Sequence, residues 1–188
     1  DDSAEDRRKL WDHSYRTAYY AYNLARNFKS KSKGLLDDAY VGGMLHDMGK
    51  IVFSTVHPEL LEKIRRFCTE KSIPVQTFED IAGGMNHAEI GARIAEKWHF
   101  PDPLVHAIRF HHEPGIAPSE FKDVVYTVYL ANALCNVESG NMTYDEIDPD
   151  VLTDFGLATE KQLKKIADTL ASGFLAEAAV LAQTAPHR

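Results

Sequence analysis

Apolar residues recur every three or four positions along nearly the whole chain, and nowhere does apolar/polar alternation persist for the length of a strand. That period makes one apolar stripe per helix, which can be buried only by packing helix against helix. The expected fold class is therefore all-α, a helical bundle. A first helix is expected over residues 4–28, with Leu10, Tyr15, Tyr19, Tyr22, Leu24 and Phe28 on its buried side. After a polar break at residues 30–34, a second starts near Leu36, turns Ala39, Tyr40, Met44 and Leu45 inward, and ends at Gly49. Pro58 suits the first turn of a helix running to Lys71, and Pro74 introduces a short one that stops at Gly83-Gly84. Asn86-His87-Ala88-Glu89 reads as a capping box opening a helix that reaches Trp98. Asp102 is the expected N-cap of the next, with Pro103 in its first turn and an end at His112-Glu113. A long apolar helix over 121–137 and a polar loop over 138–149 follow, then a short turn capped by Asp150, a helix over 160–182 and a loose tail at 183–188.

A chain of 188 residues is enough for one domain with its own core, so 1–188 is expected to be a single unit. Net charge is −7 with no long basic run, which argues against a sequence-independent grip on nucleic acid. Phosphate-bearing small molecules are compatible with it, because a bound metal can dominate the local field. Cys68 and Cys135 each lie in an apolar helical stretch, outside any Cys-x-x-Cys pair. They read as reduced core thiols of a cytoplasmic protein. No apolar run is long enough to span a membrane, and the charged first ten residues are not a signal peptide. A start at Asp1 rather than Met suggests a piece of a longer protein.

The chemistry is concentrated in the nine histidines. His57, His99, His106 and His187 read as hydrogen-bonded core or plain surface residues. His13 lies on the first helix, His46-Asp47 closes the second, His87 opens the capped helix, and His111-His112 end the one after it. Side chains from separate helices can converge on a bundle interior, where bundles build metal sites. His46-Asp47 offers a neutral nitrogen beside an anionic oxygen, and a carboxylate can bridge two cations. Neighbours on a helix point about 100° apart. On that geometry His111 and His112 do not share one niche, and serve either two metals or one metal and a substrate.

Leu45-His46-Asp47-Met48-Gly49-Lys50 resembles the signature of the HD superfamily of metal-dependent phosphohydrolases. The wider pattern is more specifically similar to the HDOD family of bacterial signalling domains. The matching stretches are Leu10-Trp11-Asp12-His13-Ser14, Gly42 through Lys50, Asn86 through Ala92 with Trp98, and Val105 through Pro114. In the related HD-GYP phosphodiesterases the ordered set His, His-Asp, His, His-His holds two or three metals. Carried over, the resemblance implies that His13, His46 and Asp47 hold one metal. Asp47 would bridge to a second, held by His87, His111 and His112. Lys50 would stand where a lysine approaches substrate phosphate.

Three departures shape the functional expectation. Where the family's last acidic ligand should fall, in Leu130-Ala131-Asn132-Ala133-Leu134, stands Asn132, either a neutral ligand or a buried polar residue with a local hydrogen bond. The Gly-Tyr-Pro element of HD-GYP enzymes is absent after His112. The helical segment that usually precedes the HD-like half is expected either to have been removed or to be absent from a shortened relative, since the sequence begins almost at that half. The donor set favours Fe, Zn, Ni or Mn over Mg or Ca, and the resemblance implies iron first and two ions. The leading expectation is a metal-binding signalling module that works with a partner protein or an attached sensor or receiver domain. The second is a phosphohydrolase acting on nucleotides or cyclic dinucleotides, with Asp47 and Lys50 catalytic: water attacks phosphorus in line and Lys50 steadies charge on the phosphoryl oxygens. The third is a di-iron oxygenase or oxygen sensor. Oligomeric state is open.

Overall fold

The computed structural model describes residues 2–29, 33–56, 66, 69–71 and 86–184. Among them every regular element is a helix. α1 is Asp2–Phe28, α2 Lys33–Leu45, α3 Met48–Val56, α4 His87–Lys97, α5 Asp102–Phe110, α6 Lys122–Glu138, α7 Pro149–Asp154 and α8 Glu160–Thr184. Single 3-10 turns lie at Pro114–Ile116, Ser119–Phe121 and Tyr144–Glu146. The helices expected after Pro58 and Pro74 fall almost wholly outside the described residues.

α6 is the axis of the fold. Every residue from Val124 to Cys135 is buried, polar Thr127 and Asn132 included, so this helix is covered on all sides. α1, α2 and α5 pack around it, and α8 closes over α1. The main core gathers Tyr20, Leu24, Val125, Val128, Leu130, Leu134, Val151 and Phe174. A smaller core joins α4 to α5 through Ala92, Ala95, Val105 and Ile108, with Leu45 and Met48 packed against it. The His46-Asp47 pair lies between Leu45 and Met48, so the lesser core pins both of its flanks.

Several boundaries differ from expectation. α2 stops at Leu45, and Gly49 is the second residue of α3 rather than a C-cap. Its lack of a side chain serves a close helix approach: a Cβ there would overlap the backbone carbonyl of His87. Gly43 does the same between α1 and α2, where a Cβ would come 2.8 Å from Cα of Ala18. Small residues therefore make the tightest face of α1. Ser14, Thr17, Ala18, Ala21 and Leu24 are buried, Tyr15, Tyr19 and Tyr22 are half-buried, and Phe28 is exposed. Pro101, not Asp102, is the N-cap of α5. Asp148, not Asp150, caps α7, accepting hydrogen bonds from the amides of Asp150 and Val151. α8 continues through Thr184, into the stretch expected to be loose. Buried Cys135 accepts a hydrogen bond from Thr17, and burial pushes its thiol up to about 12, as suits an inert core cysteine. Cys68 lies outside the described residues.

Candidate metal centre

Helix ends build the site. α2 finishes one residue before His46 and α5 one residue before His111, so each imidazole sits just past a last turn. Each Nδ1–H donates to the carbonyl three residues back, His46 to Gly43 at 2.8 Å and His111 to Ile108 at 2.6 Å. Those bonds satisfy carbonyls that a helix terminus leaves without partners. They also fix the tautomer, leaving the Nε2 lone pair of both rings turned inward. At the opposite kind of terminus, Asn86 caps α4 by accepting the amide of Glu89 at 3.0 Å, which sets His87 in the first turn. The Glu89 carboxylate, expected to reach back to the cap, binds Arg93 and Arg109.

Asp47 is the hub. Its Oδ1 lies 3.2 Å from His87 Nε2 and 3.6 Å from His111 Nε2. Its Oδ2 lies 3.3 Å from His46 Nε2, 3.7 Å from His13 Nε2 and 2.8 Å from Lys50 Nζ. Nε2 of His87 stands 3.3 Å from that of His111 and 2.9 Å from that of His112. Two groups result, each able to converge on one ion: Asp47 with His87, His111 and His112, and Asp47 with His13 and His46. His111 and His112 thus share one niche, against the helical-angle expectation. α5 has already ended at Phe110, so the per-residue rotation of a helix no longer separates them.

The electrostatics fit a cation. His46, Asp47, His87 and His111 are all buried. Burial, reinforced by His46 and His87, depresses His111 to about 3; burial and His46 take His13 to about 4. Burial beside His111 and His87 also drives His112 well below the ordinary range. Neutral imidazole is the ligating form. Burial alone would raise the Asp47 carboxyl, but the adjoining His46 ring and the Lys50 ammonium outweigh it and hold the group well below the usual carboxylate range. Buried His46 Nε2 and Asp47 Oδ1 make no hydrogen bond among the described residues. Orphaned acceptors at this depth are costly unless something positive meets them, and a divalent ion would do so.

Asn132 is buried within hydrogen-bonding reach of His13. Its Oδ1 accepts from Asn136 Nδ2 at 3.0 Å, four residues on along the same helix, which is the local hydrogen bond that one of the two readings of Asn132 expects. Lys50 lies in the first turn of α3 with its side chain 41% exposed, so the site opens to solvent along this lysine. His106 stands apart, stacked on Phe121 with ring centroids 4.2 Å apart, and His99 is exposed. His57 and His187 fall outside the described residues. A tyrosine-lined cleft of about 440 Å³, bounded by Tyr19, Tyr22, Arg26, Tyr40 and Glu177, shares no residue with the histidine cluster.

Residues 1–114 match the family profile of the HDOD domain. An uncharacterized protein from Treponema pallidum (strain Nichols) is 38% identical over 173 residues, covering 92% of this chain and 33% of that protein. The chain therefore spans about a third of the length of this curated relative. Three crystal structures share the fold. An HDOD domain protein of unknown function from Geobacter sulfurreducens superposes with a TM-score of 0.72 at 21% identity, covering 88% of this chain and 59% of that one. A candidate signal transduction protein from Marinobacter aquaeolei VT8 gives 0.69 at 23%, covering 87% and 36%. A candidate phosphohydrolase from Shewanella amazonensis SB2B gives 0.65 at 21%, covering 87% and 59%.

Proposed function

This chain belongs to the HDOD domain family, and on that premise we propose that it is a metal-binding regulatory module of bacterial signal transduction, acting with a partner protein or with domains attached to it. The observation that carries the reading is the pair of donor groups sharing the two oxygens of Asp47, with buried acceptors on both sides that no donor among the described residues satisfies. His87, His111 and His112 with Asp47 would hold one ion, and His13 and His46 with Asp47 a second. Nitrogen-rich ligation favours Fe, Zn, Mn or Ni over Mg or Ca, and the family resemblance puts Fe first among them. The regulatory reading over the catalytic one is supported by Asn132. Its amide, tied to Asn136, brings no negative charge to the position where a further carboxylate would strengthen a two-metal site. The greater length of the relatives, one of them described as a candidate signal transduction protein, also supports a module within a larger assembly.

Phosphoester hydrolysis is the second reading, and Lys50 favours it. Its half-exposed ammonium beside Asp47 is placed to pair with a phosphoryl oxygen entering from solvent. Metals held at the site would supply Lewis acidity toward such an oxygen and lower the pKa of a bound water.

Elemental analysis with a turnover assay separates the readings. The regulatory module is expected to purify with a transition metal, to lose it in His46→Ala and Asp47→Ala, and to leave bis(p-nitrophenyl) phosphate and cyclic dinucleotides intact. Rapid hydrolysis that disappears in Asp47→Ala would replace it with the phosphohydrolase. Metal retained at wild-type levels in both variants would sink both.

A further inference from the structure

We propose that Lys50 is a tethered competitor cation: it occupies the Asp47 oxygen that a metal at the His13–His46 position needs, so the two metal positions fill unequally and the weaker one responds to anions. The inference rests on the metal-binding reading above. The two oxygens of Asp47 are not equivalent. Oδ1 faces His87 and His111 and makes no hydrogen bond among the described residues. Oδ2 faces His46 and His13 but is already paired with Lys50 at 2.8 Å, nearer than either imidazole.

Charge makes the His13–His46 position the weaker of the two. Among the described residues Asp47 is the sole carboxylate of both donor groups. A dication at the His87–His111–His112 side can use the open Oδ1. A second dication would draw on the same carboxylate and sit beside the Lys50 ammonium in a partly buried setting, where solvent screens the like-charge repulsion only in part. Asn132 does not offset that repulsion, because it is neutral and its Oδ1 already accepts from Asn136. Lys50 is able to leave. It is 41% exposed whereas Asp47 is 2% exposed, so the lysine has a path to water that the carboxylate lacks. It also stands in the first turn of α3, where the helix dipole disfavours a cation, so Asp47 is what holds it there. An anion reaching the mouth would give Lys50 a second partner and free Oδ2. Anion binding and occupancy of the second metal position should then strengthen one another reciprocally.

Manganese(II) titration followed by electron paramagnetic resonance reads this without any assay of activity, since free ion, isolated bound ion and spin-coupled pairs give different signals. Wild type is expected to bind one equivalent tightly and a second at least tenfold more weakly. Lys50→Met and Lys50→Gln should tighten the second equivalent at least tenfold and bring out the coupled-pair signal at low metal, while Lys50→Arg behaves like wild type. Millimolar methylphosphonate should strengthen the second equivalent in wild type and not in Lys50→Gln. Circular dichroism selects which neutral variant is folded for the comparison. Two equal equivalents in wild type, or neutral variants that leave the weaker one unchanged, overturn the inference and leave the metal-binding reading standing. Wild type that binds no manganese, iron or zinc overturns both.

Discussion

His111 shows at the scale of one residue how burial selects chemistry. With its side chain wholly inaccessible, protonation is pushed from 6.5 down to about 3, so the ring is a neutral ligand across the physiological range. The same shift makes the metal-free protein sensitive to acid. An unfolded chain protonates its imidazoles near 6.5, whereas the folded one does not, so the unfolded state binds more protons below that pH. Stability is therefore complete above 6.5 and declines as pH falls toward about 3 for His111 and about 4 for His13, the latter contributing less because it is a quarter exposed. Asp47, held low in the fold, adds a further loss once the pH drops below the ordinary carboxylate value of 3.8. Urea titrations of metal-free protein should show the midpoint falling steadily between pH 7 and about pH 4.5. A flat midpoint over that window would mean that these imidazoles are solvated.

At the scale of elements, the site is a set of helix ends held in register by close backbone contacts. α3 and α4 approach where Gly49 meets the carbonyl of His87, and that contact brings the Asp47 turn to the first turn of α4. Gly49→Ala would force the two helices apart. Overpacking of this kind costs roughly 1–3 kcal/mol, which chemical denaturation should detect. The displacement separates His87 from the Asp47 turn, so affinity for the ion held with His111 and His112 should fall. Unchanged metal stoichiometry in a Gly49→Ala protein of normal fold would show that the α3–α4 contact does not set the site.

For the whole molecule, the centre lies at the seam between the large core around α6 and the lesser core of α4 and α5. A ligand that binds only the folded state stabilises it by mass action, about 2.7 kcal/mol at a concentration one hundred times its dissociation constant. For a chain of this size, roughly 2–4 °C in Tm accompanies each kcal/mol. Chelation of the metal-loaded protein should therefore lower Tm by about 5–10 °C, and the shift should vanish in His111→Ala. An unchanged Tm after verified metal removal would argue that the metal does not hold the two cores together.

Helical class, the ends of α1, α4, α6 and α8 within two residues, and the order of the histidines that the fold gathers around Asp47 were legible in the sequence, whereas α3 was not, because a helix end was expected at Gly49. Those features depend on local period, on capping residues, and on the order His13, His46-Asp47, His87, His111-His112. Packing decided the rest. The reach of α2 and α5 was read too long because the periodicity continues past their ends, while His46 and His111 cap their own last turns through Nδ1. That early termination is what lets His111 and His112 enter one niche, which a helix rule applied to the sequence forbids. Gly49 looks locally like a helix end, yet it and Gly43 each admit a backbone from a segment distant in sequence. Which oxygen of Asp47 faces which histidines, and that Lys50 claims one of them, is set by three helices meeting in space, where pattern along the chain carries no information.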